Sequence, residues 1–289
     1  MTTLTPQQKA EKIYNLTVDF FDHPALHFWD TFGRKTIDLL ELAPGMRVLD
    51  VCCGTGASAI PAARQVGATG KVTGVDIAEN LLQLARSKAD RLKLKNVEFL
   101  KADMTSLPFA PGTFDAAVIV FGIFFVPDME VQVERLWKLL KPGGRLIITT
   151  WGPRIFEPAY SEWMKALRLL APEWASDFNP WDRITTADAV RELLQKGIRS
   201  AGPAGPAEEG RGNSTNLTVT VISELGDHPL QEPEDFWRIA LGSGMRWPIA
   251  QMGEEKAASL KQHLIARLAE SHITSIETNV IYGLVDKPI

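Results

Sequence analysis

The stretch RVLDVCCGTGASAIPAA, residues 47–63, restricts the fold more than any other part of this chain. An apolar run with small residues ends at Gly54-Thr55-Gly56 and passes into helix-forming sequence, which reads as strand, tight turn and helix. Gly54-x-Gly56-x-x-Ala59 fits the dinucleotide fingerprint, in which the glycines let a ligand approach the backbone above the strand end. The turn alone does not say which ligand.

The same grammar repeats downstream. KVTGVD is followed by AENLLQLARSKADRL, then come VEFLKAD, FDAAVIVFG with DMEVQVERLWKLL, and RLIITTW. Strands alternating with helices at this spacing predict an α/β, doubly wound, mostly parallel sheet with helices on both faces. Upstream, 5–42 reads as helical and is divided at Pro24. Downstream, helices are expected around 160–170, 186–195, 233–240 and 254–270. NLTVTVISEL and TNVIYGLV are two late strands expected to pair antiparallel at the sheet edge, with the helices between them leaning over the active face. SAGPAGPAEEGRGNST (200–215) reads as a loop and as the stretch where disorder is expected. The predicted division is an N-terminal helical lid (1–42), a cofactor-binding Rossmann-like core (43–152), and a helical substrate cap with the last two strands (153–289).

Composition removes several function classes. The 289 residues carry a net charge of −4, with no basic footprint for nucleic acid; the cluster RSKADRLKLK (86–95) is broken by Asp90 and reads as a solvated helix face. No window approaches the roughly 20 apolar residues of a membrane span, so no stable membrane insertion and a cytoplasmic location are expected. Cys52 and Cys53 are adjacent, which suits neither a structural disulfide nor spaced zinc ligands, and no metal is expected. They read as small residues ending a buried strand. The sequons at Asn15, Asn213 and Asn216 then carry no weight.

Four features bear on the ligand. Asp50 stands at the end of the first strand, where its charge opposes a pyrophosphate on the turn and suits an ammonium group. Asp76, 22 residues after Gly54, can accept both hydroxyls of a ribose. Asp103 can accept an adenine amino hydrogen, and Met104 offers a soft contact to the ring. Pro142-Gly143-Gly144 forms a turn that launches the fifth strand. Together they favour S-adenosylmethionine over NAD.

VLDVCCGTG, GKVTGVDIAENLL, NVEFLKADMTSLPF, GTFDAAVIVFG with the later VPD, and LKPGGRLIIT stand in order over about 44–151. This segment resembles class I S-adenosylmethionine-dependent methyltransferases, most closely their ubiquinone/menaquinone biosynthesis C-methyltransferase branch. The resemblance implies a seven-stranded Rossmann-like methyltransferase sheet. It also implies that Asp50 orients the cofactor ammonium, and that Gly54, Thr55 and Gly56 admit its carboxypropyl tail. Asp76 would hold the ribose, Ile77 and Met104 the adenine faces, Asp103 the adenine edge, and Val120 and Phe121, with Gly122, would border the methionyl group. The quinone branch typically carries Ser where Val120 stands and Arg-Asn where Phe124-Phe125 stand.

The expected activity is methyl transfer to a small, largely apolar or aromatic acceptor by in-line substitution. Because the cofactor carries the activation, positioning can supply most of the catalysis. Phe124, Phe125, Trp151, Phe156, Tyr160 and Trp181 are expected to line the substrate pocket, as aromatics concentrate after the sheet core. Should an acceptor proton need removal, His23, His27, His228 and Asp128 are candidate bases. Tyr14 or Phe21 is expected to touch the cofactor from the lid. Oligomerisation beyond a monomer or homodimer is not expected. The rival readings are a quinone C-methyltransferase, an NAD(P)-dependent oxidoreductase, and a cofactor-binding protein without catalysis.

Overall fold

A computed structural model describes residues 4–200 and 218–289. Its centre is a run of strands, β1 (Arg47–Val51), β2 (Lys71–Asp76), β3 (Val97–Lys101), β4 (Phe114–Val120) and β5 (Leu140–Trp151), joined by α3 (Ala59–Val66), α4 (Glu79–Arg91) and α5 (Met129–Leu139). Two helices precede them, α1 (Pro6–Leu16) and α2 (Phe28–Leu40). After β5 come α6 (Ala159–Leu170), α7 (Ala187–Ser200), β6 (Val219–Glu224), β7 (Asp227–Pro229), α8 (Glu234–Leu241), α9 (Arg246–Gln251), α10 (Glu254–Glu270), β8 (Ser275–Glu277) and β9 (Val280–Asp286).

Seven strands form one sheet in the order β3-β2-β1-β4-β5-β9-β6. β1 to β5 are parallel, and β9 runs antiparallel between β5 and β6. The doubly wound sheet and the antiparallel pair at its edge are therefore as the sequence predicts. Alternation along the strands feeds two cores: Val48, Ala116 and Val118 face one, Leu49, Val51, Ala117 and Ile119 the other. Each such side chain, wholly buried, is worth about 1.5–3 kcal/mol in transfer free energy.

Three features depart from the sequence reading. α1 stops at Leu16, capped by Thr17, so Phe20 and Phe21 lie in turns, not on the helix. α2 belongs to the core: Ile37 and Leu40 are fully buried, and the Thr36 hydroxyl, which donates to Phe32 O at 2.7 Å, accepts from Thr149 Oγ1 at 2.7 Å. β7 and β8 pair as a separate two-stranded sheet, too short to leave an alternating signature. The expected loop lies, from 201 onward, outside the described residues, as do Asn213 and Asn216. No described helix is long and apolar enough to cross a membrane.

The sheet order reverses direction between β1 and β4. In an open α/β sheet that point leaves a crevice beyond the carboxyl ends of the strands.

Candidate active site

A cleft of two lobes occupies this crevice, and both lobes are walled by Ala10, Cys52, Asp76, Ile77, Met104 and Phe125. Gly54, Ala57, Ser58, Val120 and Phe121 add to the larger lobe, and Val75, Ala102, Asp103, Thr105 and Val126 to the smaller. The strand ends thus bring Asp76, Ile77, Asp103, Met104, Val120, Phe121 and Gly54 together. Thr55 and Gly56 stand one step away from the wall.

Asp50 lies beneath the turn, fully buried. Its Oδ2 accepts from Ser58 Oγ at 2.6 Å, while its Oδ1 is buried without a partner among the described residues; Ser58, not Asp50, stands on the cleft wall. Burial, with the Asp76 charge adding to it and the Ser58 hydrogen bond opposing it, raises the carboxyl to about 7. Asp76 accepts from Gly54 N through Oδ2 and from Ala78 N through Oδ1, both at 2.9 Å, so it shapes the turn it overlooks. Burial pushes its pKa up. Gly54 has φ +53°, and a Cβ there would stand 3.3 Å from Phe21 Cε1. Asp103 caps the turn at 104–106 through Oδ1, which accepts from Thr105 N and Thr105 Oγ1 at 2.8 Å; among the described residues no donor meets Oδ2. Gln132 on α5 donates to Met104 O at 3.0 Å and supports this loop from below.

The N-terminal arm closes the cleft. Gln7, Ala10 and Tyr14 share one face of α1 by helical spacing, and Phe21 and Trp29 follow on the wall. Polar contacts tie the arm down: Lys101 to Glu11 at 2.6 Å, Asn80 N to Asn15 Oδ1 at 2.9 Å, and Asp22 Oδ1 accepting from both Thr55 Oγ1 and Lys88 Nζ at 2.6 Å. Tyr14 meets Phe125 edge-on at 5.5 Å, and Phe21 stacks on Trp29 at 5.6 Å. Burial, with the Asp76 charge adding to it, holds the Tyr14 hydroxyl protonated, and burial likewise raises both cysteine thiols.

Of the expected substrate-pocket residues, Phe125 is on the wall. Phe124 packs edge-on behind it at 4.8 Å, Trp151 stacks behind Phe121 at 3.8 Å, and Phe156 meets Trp151 one ring further back. Tyr160 and Trp181 meet edge-on at 6.4 Å, and the Tyr160 hydroxyl accepts from Asn179. Phe124, Trp151, Phe156 and Trp181 are buried in one hydrophobic core, where Trp151 and Phe156 also meet Phe28 of α2. Among the described residues, none after Val126 lines the cleft.

The four candidate bases are elsewhere too. His23 Nδ1 accepts from Ala25 N at 3.1 Å, and Asp128 caps α5 by accepting from Val131 N at 3.0 Å. His228 is buried and donates from Nε2 to Ala25 O at 2.9 Å. Burial, then the nearby His27, lowers its pKa. His27 lies 4.5 Å from it, exposed, with Nδ1 on Pro24 O. Each does a local structural job. Missing from the sequence reading were Gln7, Ala10, Trp29 and Ser58; the i, i+3, i+7 spacing of α1 and the helix-start position of Ser58 were the available signals.

Similarity to known proteins agrees with this geometry. The fold is that of class I methyltransferases. It matches phosphoethanolamine N-methyltransferase 2 of Haemonchus contortus (TM-score 0.58, 16% identity, 99% of this chain and 61% of that one). It also matches the [4+2]-cyclase SpnF (TM-score 0.57, 19% identity, 100% and 99%). At these identities the likeness concerns the fold alone, which serves more than one chemistry. Residues 8–179, more than half of the chain, match the model of the ubiE/COQ5 methyltransferase family, and the protein belongs to that family. A demethylmenaquinone methyltransferase of Bacillus cereus is 37% identical over 135 residues, 47% of this chain and 54% of the relative. The chain thus spans about half the length of the curated relatives it matches.

Proposed function

We propose that the protein is an S-adenosylmethionine-dependent methyltransferase acting on a small, largely apolar or aromatic acceptor. The observation that carries this reading is the buried Oδ1 of Asp50, without a partner among the described residues, which lies beneath the glycine turn behind Ser58 of the cleft wall. An acceptor atom without a donor in a dry site costs about 1–3 kcal/mol, and a ligand ammonium would relieve it where a pyrophosphate would add to the repulsion. S-adenosylmethionine supplies an activated methyl group on a sulfonium. The chain's part is to bind and orient: Asp50 toward the ammonium, Asp76 toward the ribose, Ile77, Asp103 and Met104 around the adenine. Tyr14, Phe21, Trp29, Phe121 and Phe125 present aromatic rings that exclude water, and rings facing a cation contribute about 0.5–2 kcal/mol.

The division of the chain at 42 and 152, a cytoplasmic setting, and action as a monomer or homodimer without nucleic acid belong to the same reading. They rest on the acidic charge and on where the cleft lies. The family favours a second reading, C-methylation of a quinone; Val120, Phe124 and Phe125 make the site less polar than that branch's pattern. Incubation with S-adenosylmethionine and separate quinols, phenols, isoprenoids and amines, read by product mass, tests both. One acceptor class gaining 14 daltons is expected. No gain with any class, in a protein that binds the cofactor, would leave a binding protein without catalysis.

A further inference from the structure

Behind the glycine turn lies a second cleft, of about 760 Å³, on the outer side of the same loop. Three helices bring cations to it: Arg34 from α2, Arg64 from α3, and Lys88 and Arg91 from α4. Asp30 is the one carboxylate on its wall. Arg34, Arg64 and Arg91 make no ion pair or side-chain hydrogen bond among the described residues, whereas cations elsewhere are widely paired. Three guanidinium groups without an ion pair thus share one cleft with Lys88, which is paired to Asp22, and with Asp30, in a chain of net charge −4, and like charges so gathered repel one another. Guanidinium groups are also the side chains that best match phosphate oxygens, through forked, charge-assisted hydrogen bonds.

Two residues connect this cleft to the other one. Ala57 stands on the walls of both. Lys88 lines the cationic cleft, yet its Nζ is engaged 2.6 Å from Asp22 Oδ1 and 2.9 Å from Thr55 Oγ1, where it holds the arm against the glycine turn. Phe21, next to Asp22, covers Gly54.

We propose that the cleft formed by Arg34, Arg64, Lys88 and Arg91 binds a small multivalent phosphate-bearing anion, and that its occupancy loosens the arm by drawing Lys88 from Asp22. The second half rests on the reading of the main cleft as a cofactor site. By linkage the effect is mutual: a ligand that closes the arm weakens anion binding by the same factor as the anion weakens that ligand.

The test is calorimetric titration of the full chain with inorganic pyrophosphate, ionic strength being held constant with chloride. Saturable binding of one anion per chain is expected, at least tenfold weaker in the Arg64→Ala/Arg91→Ala variant. That variant keeps its affinity for S-adenosylhomocysteine, which shows that it folds. With S-adenosylhomocysteine bound, pyrophosphate should bind several-fold more weakly, and Asp22→Ala should remove that difference. No saturable heat above the chloride baseline, or binding unaltered by the double substitution, overturns the anion site. Anion affinity indifferent to S-adenosylhomocysteine overturns the coupling. Pyrophosphate binding without any S-adenosylhomocysteine binding would instead retire the methyltransferase reading and leave the anion site standing.

Discussion

Asp50, at the end of β1, is fully buried beneath the glycine turn, with Oδ2 on the Ser58 hydroxyl at the start of α3. With its pKa raised to about 7, mainly by burial, the free protein holds Asp50 neutral below that pH. Pairing with an ammonium requires the ionised form, so cofactor affinity should rise as pH rises toward 7 and level off above it. The proton released should show as a dependence of binding heat on buffer ionisation enthalpy. Asp50→Asn should flatten the pH profile and weaken binding by about 1.5–3 kcal/mol; an unchanged profile would contradict the assignment. Stability follows the opposite course. The native state keeps a proton that the unfolded chain releases near the ordinary aspartate value of 3.8, so this contribution is full below that value and is lost as pH rises through about 7.

Among the elements, those with a strong period were readable and those set by long-range contact were not. β1 to β5 and their helices follow from apolar alternation and helical spacing. The stop of α1 at Leu16, by contrast, reflects the need to turn Phe21 and Asp22 back onto the glycine loop, which no local signal encodes. The aromatic cluster after β5 read as a pocket because rings suit apolar ligands; the structure uses Trp151 and Phe156 to back Phe121, a choice that depends on α2, whose Phe28, Trp29 and Phe32 rings also meet Trp151. α7 shows a further close contact: a Cβ at Gly283 of β9 would stand 2.5 Å from Val190 Cγ1 and 2.8 Å from Leu194 Cδ1. Gly283→Val should therefore push α7 off the sheet and cost about 1–3 kcal/mol by overpacking. Denaturant unfolding checks this, and a midpoint equal to that of the unsubstituted chain would mean that α7 yields without cost.

For the whole molecule, the sheet order β3-β2-β1-β4-β5-β9-β6 converges Asp76, Asp103, Phe121 and the glycine turn on one crevice. The cofactor half of that crevice was legible because each of its residues sits at a strand end, where topology alone determines the neighbourhood. The roof was less so, as it comes from an arm whose hold on the crevice depends on Asp22, Asn15 and Glu11 meeting partners 65 to 90 residues away in sequence, or 33 for Thr55. On the proposed function, this crevice takes an adenosyl ligand bearing an ammonium group. The most direct test is side-by-side titration calorimetry with S-adenosylhomocysteine and NADH, on the unsubstituted chain and on Asp76→Ala. One-site binding of S-adenosylhomocysteine, weakened by about 1.5–3 kcal/mol in Asp76→Ala, is expected, and none of NADH. Tight NADH binding without S-adenosylhomocysteine binding would contradict the proposed function.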